Sequence, residues 1–227
     1  MSWNVKKRTT SRKAVKKRAS ASDHDSKEIL YRVALKQFAQ KGFDGASVKS
    51  IAQEAKMNVS LISYYFEGKE GLLREALERF GNERLQDARN LLTPPESVED
   101  MRVKLRVWLL QFLNCHVDDP HVCGILHREN PLEKKFMFEV FQKTFLKSFE
   151  AVAEFFRQAK KRHLIRDLDP MFLAASFFAN VIHLGKNQKL QQMIMGVSIQ
   201  DEKYRSLVAD QIIDLHFFGI LQSKENS

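Results

Sequence analysis

SVKSIAQEAKMNVSLISYYFEGK, residues 47–69, is the stretch from which the fold can be worked out. Val48, Ile51, Ala52 and Ala55 fall at i, i+3, i+4 and i+7, so a helix over 48–55 has one apolar face, with Ser47 as its N-cap. The pattern breaks at Lys56-Met57. Asn58 then offers a side-chain oxygen to cap a second helix over 58–66. In that helix Leu61, Ile62, Tyr65 and Phe66 point one way, and Val59, Ser60, Ser63 and Tyr64 the other. The outward face is small and polar with one aromatic ring, a shape suited to base edges and phosphates. Helices this short do not stand alone. Ser26–Lys41 supplies the neighbour they need, with the apolar stripe Ile29, Leu30, Val33, Ala34 and Phe38, and Gly42 to close it.

This pattern resembles the TetR family of bacterial transcription regulators over Ile29–Leu73, about a fifth of the chain. The residues that carry the likeness are Ile29-Leu30, Ala34, Phe38, Lys41-Gly42-Phe43, Ser47-Val48, Ile51-Ala52, Ala55, Tyr65-Phe66 and Lys69-Glu70 ahead of Leu72. One position departs: the family usually has Gly where Lys56 stands, to close a helix in the left-handed conformation. The resemblance implies an all-α fold, with an N-terminal helix-turn-helix DNA-binding head joined by a linking helix to a C-terminal helical ligand-binding and dimerisation domain. The expected domains are a basic disordered arm at 1–24, the head at 25–70, and the effector-binding and dimerisation domain at 71–227.

Composition sets limits of its own. The 227 residues are 44% hydrophobic, poor in Gly and Pro, and lack alternating Val/Ile/Thr runs, which favours helices throughout. No apolar run approaches the roughly 18 residues of a membrane span, and the basic N-terminus lacks the apolar core of a secretory signal. Two cysteines suggest no disulfide framework, so a cytoplasmic location is expected. Lys6, Lys7, Arg8, Arg12, Lys13, Lys16, Lys17 and Arg18 precede the first acidic residue and account for nearly all of the net charge of +9. Such a tail seeks polyanions. Its position just ahead of a helix-turn-helix makes a groove-reaching arm the expectation.

By resemblance and by facing, the residues expected at DNA are Ser47, Lys49, Asn58, Val59, Ser60, Ser63, Tyr64 and Lys69, with Arg8, Arg12, Lys13, Lys16, Lys17 and Arg18 from the arm. Lys69 stands out because a cation at the first turn of a helix opposes the macrodipole, as if placed there to meet a phosphate.

The remaining helices are predicted from about Lys69 toward Leu91, from Ser97 to Val117, from Pro120, from Pro131 to about His163, over Pro170–Lys186 and over Asp201–Leu221, with 189–200 left unassigned. The 170–186 segment is apolar nearly all round, which calls for burial on every side. A domain this small has little room for that, so Phe172, Ala175, Phe178, Ile182, Val208, Ile212, Leu215 and Phe218 are expected to form a homodimer interface. Two-fold symmetry then sets two recognition helices about 34–36 Å apart. The effector region implied by the resemblance has Trp108, Phe112, His116, Phe136, Val140, Phe141 and Phe145 as walls and Arg128 to meet an acidic group. Seventeen phenylalanines suggest an apolar or aromatic ligand.

Cys115, His116, His121 and Cys123 are soft ligands, but their spacing matches no standard zinc pattern. Asp118-Asp119-Pro120 is expected to turn the two pairs apart, so neither metal nor cofactor is predicted. No convergent acids or nucleophile–base pair point to an enzyme. The reading is a sequence-specific homodimeric repressor that binds double-stranded operator DNA and is relieved by a small molecule. An activator, or a DNA-coating protein driven by the basic arm, is the alternative.

Overall fold

The computed structural model describes the backbone of residues 7–220 and the side chains of residues 23–218. Among these residues every regular element is an α-helix, and none is long and apolar enough to cross a membrane. The chain divides into two compact units after Glu75.

The first unit holds α1 (Lys7–Lys41), α2 (Val48–Glu54), α3 (Ser60–Phe66) and the start of α4 (Lys69–Leu91). Helix α1 begins well ahead of the expected Ser26 and takes in much of the stretch expected to be an unstructured arm. The physical reason lies in what that stretch lacks: it has neither Gly nor Pro before Gly42 and is rich in Lys, Arg and Ala, all good helix formers. The side chains of Arg8, Arg12, Lys13, Lys16, Lys17 and Arg18 lie outside the described ones.

Leu30, Ala34, Phe38, Ile51, Ile62, Leu72 and Leu73 are fully buried and make the core of this unit. Each large side chain among them contributes roughly 1.5–3 kcal/mol by leaving water. A polar lock joins α1 to α2. Buried Gln37 donates its amide to Glu54 Oε2 at 2.7 Å and to the Ser50 carbonyl at 3.2 Å, and accepts from Ser50 Oγ at 2.8 Å. Lys36 pairs with the same Glu54 at 2.9 Å. Ser47 caps α2 as expected: its Oγ accepts from the Ser50 amide at 3.0 Å, and the Ser50 hydroxyl returns the bond in a capping box.

The second unit contains the rest of α4, then α5 (Val98–Asp118), α6 (Pro120–Arg128), α7 (Lys135–Lys143), α8 (Phe145–Lys161), α9 (Pro170–Lys186), α10 (Gln188–Met195) and α11 (Glu202–Ile220). Its core gathers Leu105, Leu109 and Leu113 of α5, Val152 and Phe156 of α8, Phe177 and Val181 of α9, and Ile213 of α11. The long helix expected over 131–163 is instead two, broken at Thr144 (φ −122°, ψ −71°). Thr144 is buried against Gly81 of α4, where a Cβ would come within 2.4 Å of Thr144 Oγ1. The unassigned stretch after 188 is α10, closed by left-handed Gly196.

The interface expectation divides. Phe172, Ala175 and Ile182 on α9 and Leu215 and Phe218 on α11 are exposed, Phe218 by 89%. Val208 and Ile212 are core residues instead, and Phe178 is half-buried among the rings of Trp108, Phe112 and Phe149. The 3.6-residue repeat turns these side chains inward, so helix α9 has a buried side and an apolar exposed one.

Lys56 takes the left-handed conformation, φ 55°, at the turn after α2. A side chain with a Cβ costs about 1 kcal/mol there. Lys56→Gly should raise the stability of the first unit by about that amount, read from urea denaturation. An unchanged or lowered midpoint would show that the turn carries no such strain.

Candidate functional site

On α3, Ile62 and Phe66 are buried and Leu61 and Tyr65 half-buried, while Val59, Ser60, Ser63 and Tyr64 face outward, Tyr64 with 73% of its surface exposed. The Tyr65 hydroxyl donates to Asp23 at 3.1 Å, and burial together with that carboxylate raises its pKa. Its ring meets Tyr64 edge-on at 4.9 Å, so Tyr64 is steadied from behind while its outer side stays open. The helix starts two residues later than expected. Asn58 is still its polar brace: Asn58 Oδ1 accepts from the Ser60 amide at 2.9 Å and from the Ser60 hydroxyl at 2.8 Å, an Asx turn that leads into α3. Asn58, Ser47 and Lys49 are exposed as well.

Lys69 has a different task from the one expected. Its ammonium donates to the Phe43 carbonyl at 2.9 Å and the Ala46 carbonyl at 3.0 Å, and it lies 4.3 Å from the centre of the Phe43 ring. The charge disfavoured at a helix start is stabilised by two carbonyls and a π face. Lys69 therefore braces the turn between α1 and α2 rather than standing free for a phosphate. Lys69→Met should destabilise the first unit by about 1–2 kcal/mol through the loss of these charged hydrogen bonds; a thermal unfolding midpoint equal to wild type would return Lys69 to the phosphate role.

The second unit holds a half-open cavity of about 530 Å³. Phe112 and His116 of α5, Phe141 of α7 and Phe145 of α8 line it. Trp108 borders a smaller neighbouring pocket with Arg84 and Asp87. Phe136 and Val140 are buried but outside the lining, because Val140 sits about 100° round α7 from Phe141. Arg128 is exposed and takes no part in the wall. Sequence reasoning missed Phe80, Leu126, His127 and Phe149, and the α9 residues Ala179 and Ile182 as walls. The i, i+4, i+8 stripe Phe141–Phe145–Phe149 was legible in the sequence; the convergence of α4, α6 and α9 on it was not.

The polar part of the lining is one cluster. Cys115, near the end of α5, and Cys123, in the first turns of α6, meet with their sulfurs 3.8 Å apart. His116 Nδ1 lies 3.5 Å from Cys115 Sγ, and His127 stacks on His116 with ring centres 5.3 Å apart. Here the expectation failed: Asp119 and Pro120 fold the chain back on itself instead of turning the pairs apart, and the Cys123 amide closes the corner by donating to the Asp119 carbonyl at 3.1 Å. His121 is exposed and outside the cluster. The hydrogen bond with Cys123 holds Cys115 well below the usual thiol range, at about 6, aided by His116 and Arg84 against the effect of burial. Cys123, next to that developing charge, is pushed up.

Burial, then the neighbouring His116 and Lys186, hold His127 down at about 4 against an ordinary 6.5. The unfolded chain therefore binds this proton more readily, so the stabilising contribution is complete above about pH 6.5 and is lost as pH falls toward 4. His127→Gln should flatten the decline of the denaturation midpoint across that window. An identical slope in the variant would place the acid sensitivity elsewhere.

Residues 30–76 match the family model described as bacterial regulatory proteins, tetR family. Over these residues the N-terminal unit is similar to the TetR family. "Probable HTH-type transcriptional regulator YttP" of Bacillus subtilis (strain 168) is 46% identical over 55 residues, 24% of this chain and 27% of its own. A second Bacillus subtilis (strain 168) protein, "Uncharacterized HTH-type transcriptional regulator YuxN", is 33% identical over 73 residues, 32% of this chain and 25% of its own. The matched part thus spans about a quarter of these curated relatives. Solved structures extend the TetR likeness in fold to most of the chain. A linker-substituted mutant of HlyIIR matches with TM-score 0.62 at 25% identity, over 90% of this chain and 99% of that one. The SmeT–triclosan complex matches with TM-score 0.64 at 15% identity, over 88% and 93%.

Proposed function

We propose that the protein is a homodimeric, sequence-specific transcription regulator, a repressor that leaves its operator when a small apolar or aromatic ligand enters the cavity of the second unit. The observation that carries this reading is the outward face of α3. Asn58 and Val59 just ahead of α3, and Ser60, Ser63 and Tyr64 on it, stand exposed, while Ile62 and Phe66 on the opposite side are buried in the core. The exposed side chains enter the major groove, Tyr64 offering its hydroxyl to a phosphate and its ring to a thymine methyl. Ser47 and Lys49 approach the backbone from α2, and the basic residues before Ser26 add sequence-independent attraction. The exposed apolar residues Phe172, Leu215 and Phe218 support pairing of two chains through α9 and α11. The size and aromatic walls of the cavity favour the ligand class, and the TetR-like structure of SmeT holds triclosan. Phe80 in the cavity wall lies on α4, the helix whose first turn carries Lys69. A ligand pressing on Phe80 therefore acts on a helix that begins in the head, and release from DNA follows if it prefers one of two arrangements of that helix. The protein acts in the cytoplasm.

Tyr64→Ala tests the reading. With 73% of Tyr64 exposed, the variant should keep its fold and its dimeric state. It should lose about tenfold or more in affinity for a specific duplex, the cost of about 1–3 kcal/mol for one good base contact. Binding equal to wild type by fluorescence anisotropy would take Tyr64, and with it the facing of α3, out of the interface.

A further inference from the structure

We propose that Cys115, His116 and Cys123 form a binding site for one divalent zinc-class ion, held by two thiolates and His116 Nδ1, with its fourth position open to the cavity. The distances fit. Zinc takes sulfur at about 2.3 Å and nitrogen at about 2.0 Å in a tetrahedron, which sets the ligand atoms about 3.8 Å apart for two sulfurs and about 3.5 Å apart for sulfur and nitrogen. The Cys115–Cys123 and Cys115–His116 separations are 3.8 Å and 3.5 Å, and ligand atoms from all three residues lie within 4.8 Å of one another.

The surroundings fit as well. All three side chains are buried, with 2–5% of their surface exposed, so they form no surface cluster of the kind that solvent would loosen. His116 is fixed by Gly185 of α9: a Cβ there would sit 2.0 Å from His116 Nε2, so only glycine lets the ring lie against the helix backbone with Nδ1 toward Cys115. Charge balances too. Two thiolates, a neutral imidazole and a dication sum to zero, as an apolar wall requires, and the nearby Arg84 is already matched by Asp87 at 2.9 Å. On binding, the thiol protons pass to solvent as two Zn–S bonds form, the imidazole nitrogen gives the third bond, and the ion keeps one water. That water faces the cavity, where a donor atom on a ligand can replace it. No change of oxidation state is involved, and the site is independent of DNA binding.

The test is an anaerobic titration of the reduced, metal-free full chain with Co²⁺, followed by Zn²⁺. The expected result is one Co²⁺ per chain, with thiolate-to-cobalt charge transfer in the near ultraviolet and intense tetrahedral bands in the visible, both bleached by one equivalent of Zn²⁺. The charge transfer should vanish in the Cys115→Ser/Cys123→Ser variant. His116→Gln should keep the charge transfer but shift the visible bands, and the exposed-site control His121→Ala should behave as wild type. Wild-type protein without the thiolate bands would overturn the proposal, as would bands that survive in the double variant. Reduced wild type that ignores Co²⁺ yet forms a Cys115–Cys123 disulfide with a mild oxidant would show a redox pair instead, and would likewise overturn it. Should the double variant lose its helical circular dichroism, the His116→Gln titration decides, with unchanged visible bands counting against the site.

Discussion

Two helices of seven residues, α2 and α3, exist only because Ile51 and Ile62 are fully buried, as are Phe38 of α1 and Leu72 of α4 in the same unit. Neither could hold its own hydrogen bonds against water at that length. That dependence explains the chemistry of the surface. Every large apolar side chain that α3 can spare is drawn to the core, and what remains outside is Ser60, Ser63 and the open ring of Tyr64. The polar lock of Gln37 with Ser50 and Glu54 adds direction to this packing. A buried amide that must satisfy both its donors and its acceptor tolerates one arrangement of α1 against α2, where apolar contact alone tolerates several.

The parts legible in the sequence are those governed by local chemistry. The Ser47 cap, the inward face of α3 and the starts of α6 and α9 at proline each follow from a residue and its immediate neighbours, while the left-handed turn at Lys56 was implied by the resemblance. The parts that were not legible depend on contacts distant in sequence. The break at Thr144 packs against Gly81, sixty-three positions earlier. Lys69 has the charge and place of a phosphate ligand, and only the fold shows the carbonyls of Phe43 and Ala46 beneath it. Val208 and Ile212 carry the same apolar signal as Leu215 and Phe218, and periodicity alone could not say which pair faces the core.

The corner at Asp119-Pro120 has the largest consequence for the second unit. It doubles the chain back so that the last turns of α5 and the first turns of α6 share one wall of the cavity. The same corner gives that wall its only dense cluster of soft ligand atoms among the described residues. An aromatic cavity with one polar spot is the usual design of a selective small-molecule site, where shape supplies affinity and a few groups fix orientation. Here the spot is built from thiols and imidazoles rather than from carboxylates or guanidinium groups.

The most direct measurement is selection of bound sequences from a random duplex library by the purified protein at moderate salt. Enrichment of an inverted repeat is expected, its half-sites about one helical turn apart, the spacing set by two recognition helices related by a two-fold axis. Tight binding at low salt with no enriched sequence would contradict it: the basic N-terminal segment would then dominate the contact with DNA, and the exposed face of α3 would have no reading role.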